Sequence, residues 1–183
     1  MSPDGQNLLV LAAIDLAHPQ YGKVRQLDLN SKSVNILLDD PDLFTWQAHF
    51  SPDGRWVIFN ATGKAPTSLS SQIYVTRFRK GPVPRSEWIP VTHGQWDDKP
   101  RFSPDGTRIV FVSGRAPANR SIYTQALTPD MRPTGNPVSL YASPNGRRII
   151  KDDDISVGRG LVVFSQSDLT GNIYLWEQSH DGK

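Results

Sequence analysis

The sequence contains no cysteine among its 183 residues. Disulfide bonds, thiol catalysis and thiolate metal sites are therefore excluded. No apolar run approaches the roughly 18 residues that a membrane-spanning helix requires. The apolar stretch near the N-terminus has no basic region before it, which argues against a signal peptide. The formal net charge is only +2 and the basic clusters are short, so we expect no nucleic-acid partner and no membrane span.

Helical patterns are also scarce. No segment shows the 3.6-residue period of an amphipathic helix. The 14 glycines and 15 prolines are typical of short strands joined by turns. The sequence therefore predicts an all-β protein with almost no helix.

A repeated motif divides the chain into units of about 50 residues. Ser-Pro-Asp-Gly begins at Ser2, Ser51 and Ser103, and a decayed copy begins at Ser156. A large apolar residue follows each serine eight places later: Val10, Phe59, Phe111 and Phe164. We expect Phe59, Phe111 and Phe164 to occupy corresponding buried places.

The chemistry of the motif predicts a tight turn between two strands. Proline fixes φ at the second position, aspartate bonds neighbouring backbone N–H groups, and glycine tolerates a positive φ. In each unit an apolar strand follows this turn. A strand with Ile-Tyr comes next in the last three units, and a weaker strand ends each of the first three units. Repeated units of four short antiparallel strands indicate β-propeller blades. We place the blades at about 1–44, 45–96, 97–149 and 150–183, in a single domain.

The predicted blades number about four, with 14 strands, and form an incomplete arc. The first unit begins at its turn, and the last ends soon after its Ile-Tyr strand. Three interpretations remain: part of a longer chain, which we favour, a dimer that completes a ring, or a compact four-bladed ring. Open blade edges would favour self-association.

The segment 97–115, with Phe-Ser-Pro-Asp-Gly followed by an apolar strand, resembles the TolB-like, or PD40, WD40-like β-propeller repeat. The likeness covers essentially the whole chain. The segments 99–103 and 169–174 and the Arg147-Arg148 pair resemble the C-terminal blades of bacterial signalling proteins with TolB-like propellers. The resemblance implies a protein or peptide partner and a periplasmic location, or a cytoplasmic one if the propeller is attached to a regulator.

No motif for catalysis or cofactor binding accompanies the repeat. The chain has four histidines but no Gly-x-Ser-x-Gly element. The runs Asp97-Asp98 and 152–154 lack the alternating carboxylates of a calcium loop, and we expect them to be solvated or salt-bridged. Gly158-Arg159-Gly160 is too short for a nucleotide loop. We therefore expect no enzyme activity, no metal and no cofactor.

Polar residues recur instead on the innermost strands, which converge on the channel of a propeller. His49, Arg101 and Asp154 each lie two residues before the turn serine, and Gln47, Lys99 and Asp152 lie four before it. Trp46 and Trp96 precede these strands and could form an aromatic rim. We predict a channel lining that contacts a peptide or small solute. The alternative is that Arg101 simply pairs with Asp154 of the next blade.

These observations favour a non-catalytic protein- or ligand-binding propeller module that is part of a larger envelope or signalling protein. Two alternatives stay open. One is the substrate-gating propeller of a serine peptidase of the prolyl oligopeptidase or tricorn type, and the other is a self-assembling structural unit.

Overall fold

The computed structural model describes residues 1–11, 22–63, 70–93, 96–114, 121–142, 148–149, 155–167 and 172–177. For 148–149, 166–167 and 172–177 it describes the backbone only. Within these ranges the chain forms fifteen β-strands in four antiparallel sheets, and its one helical segment is a single 3₁₀ turn, Arg85–Glu87. The predicted all-β fold is confirmed.

The first sheet has three strands in the order β1 (Asn7–Leu11), β2 (Val24–Asp28) and β3 (Val34–Leu38). The second sheet has four strands, which again pair in the order in which they follow along the chain. These are β4 (Leu43–Phe50), β5 (Trp56–Gly63), β6 (Ser71–Arg77) and β7 (Ile89–Pro90).

The third sheet repeats the four-stranded pattern of the second. Its strands are β8 (Asp97–Phe102), β9 (Arg108–Ser113), β10 (Ser121–Leu127) and β11 (Pro133–Ala142). The outermost strand β11, with ten residues, is the longest of the described strands. Two register shifts along its pairing with β10 accommodate the extra residues.

The fourth sheet differs at its inner side. We expect one innermost strand there, but two short strands, β12 (Arg148–Ile149) and β13 (Ser156–Val157), both pair with β14 (Leu161–Ser167). The strand β15 (Asn172–Glu177) pairs with the other side of β14. Among the described residues each hydrophobic core lies between two consecutive sheets and none joins the first sheet to the fourth, so the four sheets form an open arc.

The three Ser-Pro-Asp-Gly turns have the same internal structure. In the second turn the Ser51 hydroxyl donates to the Asp53 carboxylate at 2.6 Å and accepts from the Trp56 N–H at 2.9 Å. Gly5, Gly54 and Gly106 each have a φ of 71°. This left-handed conformation is unfavourable for any residue with a Cβ atom. In the second and third sheets the turn therefore joins the innermost strand to the second strand, as the motif predicts.

Hydrophobic cores lie between neighbouring sheets rather than inside one. Because strand side chains alternate, Val57 and Phe59 of β5 pack against the first sheet, while Ile58 packs toward the third. In the same way Phe111 faces the second sheet, and Phe164 faces the third. Phe59, Phe111 and Phe164 are all buried, which confirms their corresponding places.

Candidate functional site

The innermost strands β4 and β8 carry a matching irregularity. The pairing of β4 with β5 shifts between Trp46 and His49, and the pairing of β8 with β9 shifts between Asp98 and Arg101. Within these bulges Gln47 has a φ of 47° and Lys99 a φ of 54°. Positive φ at a non-glycine residue is strained, so the surrounding contacts must hold it.

One of those contacts joins the two sheets. The Gln47 side-chain oxygen accepts a hydrogen bond from the backbone N–H of Lys99 at 2.9 Å. The Lys99 side chain is only 2% exposed, whereas Gln47 is half-buried. The structure thus brings together two residues of the predicted channel set, and the contact joins the Lys99 backbone to the Gln47 side chain.

A polar network lies beside this contact. The Asp97 carboxylate accepts from the Ser113 hydroxyl at 2.6 Å, and Asp97 is fully buried. Its backbone oxygen accepts from the Ser71 hydroxyl at 3.0 Å, and the Asp98 carboxylate accepts from the Asn60 amide at 3.2 Å. Asp97 is therefore buried rather than solvated, because its position on β8 faces into the junction between the second and third sheets; the alternative, that the carboxylate is salt-bridged, stays a prediction.

His49 and Arg101 are both half-buried at equivalent places before the turns. The Arg101 guanidinium donates to the Pro100 carbonyl oxygen at 2.8 Å. Asp152 and Asp154, the third members of the two predicted sets, lie outside the described residues. The proposed pairing of Arg101 with Asp154 therefore stays a prediction.

The two tryptophans of the predicted rim have different surroundings. Trp46 is half-buried, and its indole N–H is buried without a hydrogen-bond partner among the described residues. The Trp96 carbonyl accepts from the Gly114 N–H at 2.8 Å, and the Trp96 Cβ lies 3.0 Å from where a Cβ on Gly114 would stand. Gly114 thus permits a close approach that a larger residue would disturb.

A cleft between the third and fourth sheets was not predicted from the sequence. It has a volume of about 700 Å³, within the usual range for ligand sites. Val110, Val138 and Leu140 contribute apolar surface, and Arg108 and Arg159 contribute charge. Both arginines are exposed, and neither guanidinium forms an ion pair or hydrogen bond within the described part of the chain.

A sequence signal for the cleft exists at the fifth place after the turn serine. In the second sheet this place holds Trp56, which is buried in the core shared with the third sheet, with the Arg77 guanidinium 4.5 Å from its ring centre. In the third sheet the same place holds Arg108. Because a charged side chain replaces a large aromatic one there, the junction that follows is less completely filled.

The acidic turn residues bear shifted pKa values. Hydrogen bonds from the serine hydroxyl lower the pKa of Asp4 and of Asp105. Partial desolvation acts to raise the pKa of Asp53, but hydrogen bonds from Ser51 and Arg55 outweigh it and lower the pKa to about 2. These carboxylates therefore stay charged at neutral pH, and Asp105 places a negative charge at the edge of the cleft.

Within the described ranges, no cluster of three or more histidine or acidic side chains is arranged to hold a metal ion. Across the same residues, no helix is long and apolar enough to cross a membrane.

Comparisons with protein-family models and with curated protein sequences find no match. Solved structures do match. TolB from Acinetobacter baumannii superposes with a TM-score of 0.68 at 22% identity, over 96% of this chain and 39% of that one. A puromycin-hydrolyzing peptidase of Mycobacterium tuberculosis gives 0.64 at 14% identity, over 97% of this chain and 30% of the peptidase.

A third similar structure is an oligogalacturonate lyase in complex with manganese, with a TM-score of 0.57 at 14% identity, over 86% of this chain and 41% of the lyase. The chain spans less than half the length of each of the three proteins. Identities this low establish a shared fold and no shared activity. The chain has a TolB-like β-propeller fold, of which its four sheets form an open arc.

Proposed function

We propose that this chain is a non-catalytic binding module of a TolB-like propeller, with a protein or peptide as its partner and the periplasm as its location. The similarity to TolB in fold supports the module. The absence of a Gly-x-Ser-x-Gly element from the sequence is consistent with a role without catalysis.

The observation that carries the proposal is the cleft between the third and fourth sheets. It combines apolar walls with two arginines, Arg108 and Arg159, that have no ion-pair partner among the described residues. Arginine binds carboxylates through two parallel hydrogen bonds. The cleft therefore suits a peptide segment that carries carboxylates between apolar side chains.

This proposal is tested with a fluorescein-labelled octapeptide that alternates leucine and glutamate. Fluorescence anisotropy should show binding to the wild type and at least about tenfold weaker binding to the Arg108→Glu, Arg159→Glu double variant, since two attractive contacts become repulsive. A peptide with glutamine in place of glutamate should bind weakly to both proteins.

The control variant is Arg25→Glu, because Arg25 is an exposed arginine on the first sheet and lies outside the cleft. Equal binding of the peptide by the wild type and the double variant would refute the cleft as the site. If Arg25→Glu weakened peptide binding by the same factor, the effect of the double variant would come from the change in net charge and not from contacts in the cleft.

The channel remains a second place for the ligand. Its predicted members among the described residues are Gln47, His49, Lys99, Arg101, Trp46 and Trp96. The half-burial of His49 and Arg101 supports partial access, whereas Lys99 is buried. The test is Arg101→Glu with capture of the partner from a periplasmic extract. Unchanged capture by a folded variant would remove the channel hypothesis.

A second candidate function is the substrate-gating propeller of a serine peptidase. The fold similarity to the puromycin-hydrolyzing peptidase favours it. Sequencing the gene on both sides of this segment distinguishes the binding module from the gating propeller, because a hydrolase domain in the same reading frame would support gating. A third candidate is a self-assembling unit, and the exposed Val10 of the first sheet and Val163 of the fourth support it.

A further inference from the structure

A second cavity adjoins the cleft. It has a volume of about 330 Å³ and lies between the second turn, the third turn and the loop 127–131. We call it the turn cavity. Asp105 of the third turn lines both the turn cavity and the cleft. The third turn is therefore the wall between two neighbouring spaces, and an extended ligand that crosses this turn can occupy both.

Buried apolar side chains line part of the turn cavity. Leu127 is 8% exposed and Met131 is 7% exposed, and both belong to the core between the second and third sheets. Met131 has a φ of 61°, a conformation that favours glycine, so the packing of its side chain must offset an unfavourable backbone. A methionine surface adapts to ligands of different shape. The turn cavity thus suits the aliphatic stem of a long side chain with a charged end.

The sign of the uncompensated charge changes from the cleft to the turn cavity. The cleft has the two arginines Arg108 and Arg159. In the turn cavity the Arg55 guanidinium pairs with the Asp53 carboxylate at 2.6 Å, so these two charges compensate each other. Asp105 is the remaining charged residue of the turn cavity, and it forms no ion pair within the described ranges.

Asp105 has one carboxylate oxygen available to a ligand. Its Oδ1 accepts from the Ser103 hydroxyl at 2.6 Å, from the Thr107 N–H at 3.0 Å and from the Thr107 hydroxyl at 2.9 Å. Its Oδ2 accepts no hydrogen bond from a described residue, and Asp105 is exposed. A single available oxygen suits the compact ammonium group of lysine better than arginine, whose planar fork binds two oxygens at once.

We infer that the peptide bound in the cleft continues over the third turn into the turn cavity and places a lysine there, with its ammonium group on Asp105. This assignment rests on the proposed function and adds a feature that the partner must have, a lysine beside its acidic and apolar segment. Sheets pack roughly 10 Å apart and an extended chain advances roughly 3.3 Å per residue. The lysine should therefore lie about three residues beyond the segment in the cleft.

The test extends the labelled octapeptide of leucine and glutamate by Gly-Gly-Lys, in one peptide at the N-terminus and in another at the C-terminus. Fluorescence anisotropy should show that one of the two binds the wild type about three- to fivefold more tightly than the octapeptide, as expected for a partly exposed ion pair. The same extension with glutamine in place of lysine should give no gain. General attraction cannot produce the gain, because lysine makes the peptide less negative while the protein has a net charge of +2.

Two variants locate the lysine. Asp105→Asn keeps an acceptor oxygen for the turn and removes the charge, and Thr107→Lys places an ammonium group of the protein beside Asp105. Each should reduce the gain, which is the ratio of the two dissociation constants measured on the same protein, to about one. The matched control is Asp4→Asn, the same change in the first turn and outside both cavities, and it should keep the gain. Circular dichroism verifies that each variant is folded.

Equal binding of the octapeptide and both lysine peptides to the wild type would overturn the inference and leave the proposed function of the cleft standing. A gain that persists in both Asp105→Asn and Thr107→Lys would also overturn it, because the lysine would then bind elsewhere. If the wild type bound none of the peptides, the proposed function and the inference would both be wrong.

Discussion

At the scale of single residues, the turn motif holds its shape through one carboxylate. Asp53 accepts from the Ser51 hydroxyl at 2.6 Å and from the Arg55 N–H at 3.0 Å, and Asp4 and Asp105 repeat this arrangement. The motif thus combines a rigid proline, a hydrogen-bonding acid and a glycine in one local structure, which explains why four letters of sequence were sufficient to predict it.

The pH dependence of stability follows from these carboxylates. The pKa of Asp53 is about 2 in the folded protein and about 3.9 in an unfolded chain. A lowered pKa stabilises the fold above the unfolded value, and this stabilisation is lost as the pH falls from about 4 toward 2.

We therefore expect Asp53→Asn to lower the free energy of unfolding by about 1 kcal/mol at pH 6.5, a modest value because the carboxylate is partly exposed. The difference between variant and wild type should shrink by pH 3. Urea unfolding measures both. The control is Asp130→Asn, in an exposed turn where the carboxylate has no hydrogen bond to a described residue. If Asp53→Asn lowered the free energy of unfolding equally at pH 6.5 and pH 3, the lowered pKa of Asp53 would be contradicted.

The contact between Gln47 and Lys99 was predictable only in part. The repeat places both residues at the same position of consecutive units, so their proximity follows from the sequence. The positive φ of each, and the bond from one backbone to the other side chain, depend on the bulges of β4 and β8. Bulges arise from how two strands pair, which local sequence does not specify.

Gln47→Ala tests this link. Alanine and glutamine carry the same Cβ penalty at positive φ, so the variant isolates the hydrogen bond. We expect a loss of about 1 kcal/mol in the free energy of unfolding, measured by urea denaturation. Gln6→Ala, in the first turn, serves as the control, because the exposed Gln6 side chain forms no hydrogen bond with a described residue. No difference between the two variants would show that the contact does not stabilise the junction.

At the scale of elements, the sheets are held in sequence by their turns as well as by their cores. The prolines of the first two turns lie against the glycines of the turns that follow. The decayed turn at 156–160 keeps a glycine of φ 68° at its end, Gly160, but has Val157 in place of proline. The fourth turn is closed differently, by the Gly158 N–H donating to the Leu161 carbonyl oxygen at 2.9 Å, and it lacks the proline that would extend the stack.

Substitutions at two glycines test how much the left-handed turn conformation contributes to stability. Gly54→Ala should destabilise the fold by about 1–2 kcal/mol, because alanine is strained at a φ of 71°, and contact with Pro3 adds to the cost. Gly158→Ala should be nearly neutral, because a Cβ there would meet only ordinary contact at 3.8 Å. Thermal unfolding compares the two, and equal midpoints would contradict the role of the left-handed turn.

At the scale of the whole molecule, stability is distributed over three separate junctions. Each junction has its own core, and sheets that are not neighbours share none of these cores. Repeat proteins of this kind behave as a sum of units and nearest-neighbour contacts.

We expect Phe59→Leu and Phe164→Leu to destabilise additively, because the first side chain packs on the first sheet and the second on the third. The loss in the double variant should equal the sum of the single losses within about 0.5 kcal/mol. The pair Phe59→Leu and Trp88→Leu, which lie 4.9 Å apart between ring centres, should depart from additivity. Strong coupling between the distant pair would indicate one cooperative core instead of three.

The sequence by itself determined the turn, the repeat length, the all-β class and the burial of the phenylalanines at the eighth place. These properties depend on local conformational preference and on apolar patterning, both of which are written in adjacent residues. Only the tertiary structure decided that Asp97 is buried, that both β12 and β13 lie on the inner side of the fourth sheet, and that a cleft with two arginines lies beside the core between the last two sheets. Each of these depends on how closely two sheets approach, and that distance is set by side chains distant in the sequence.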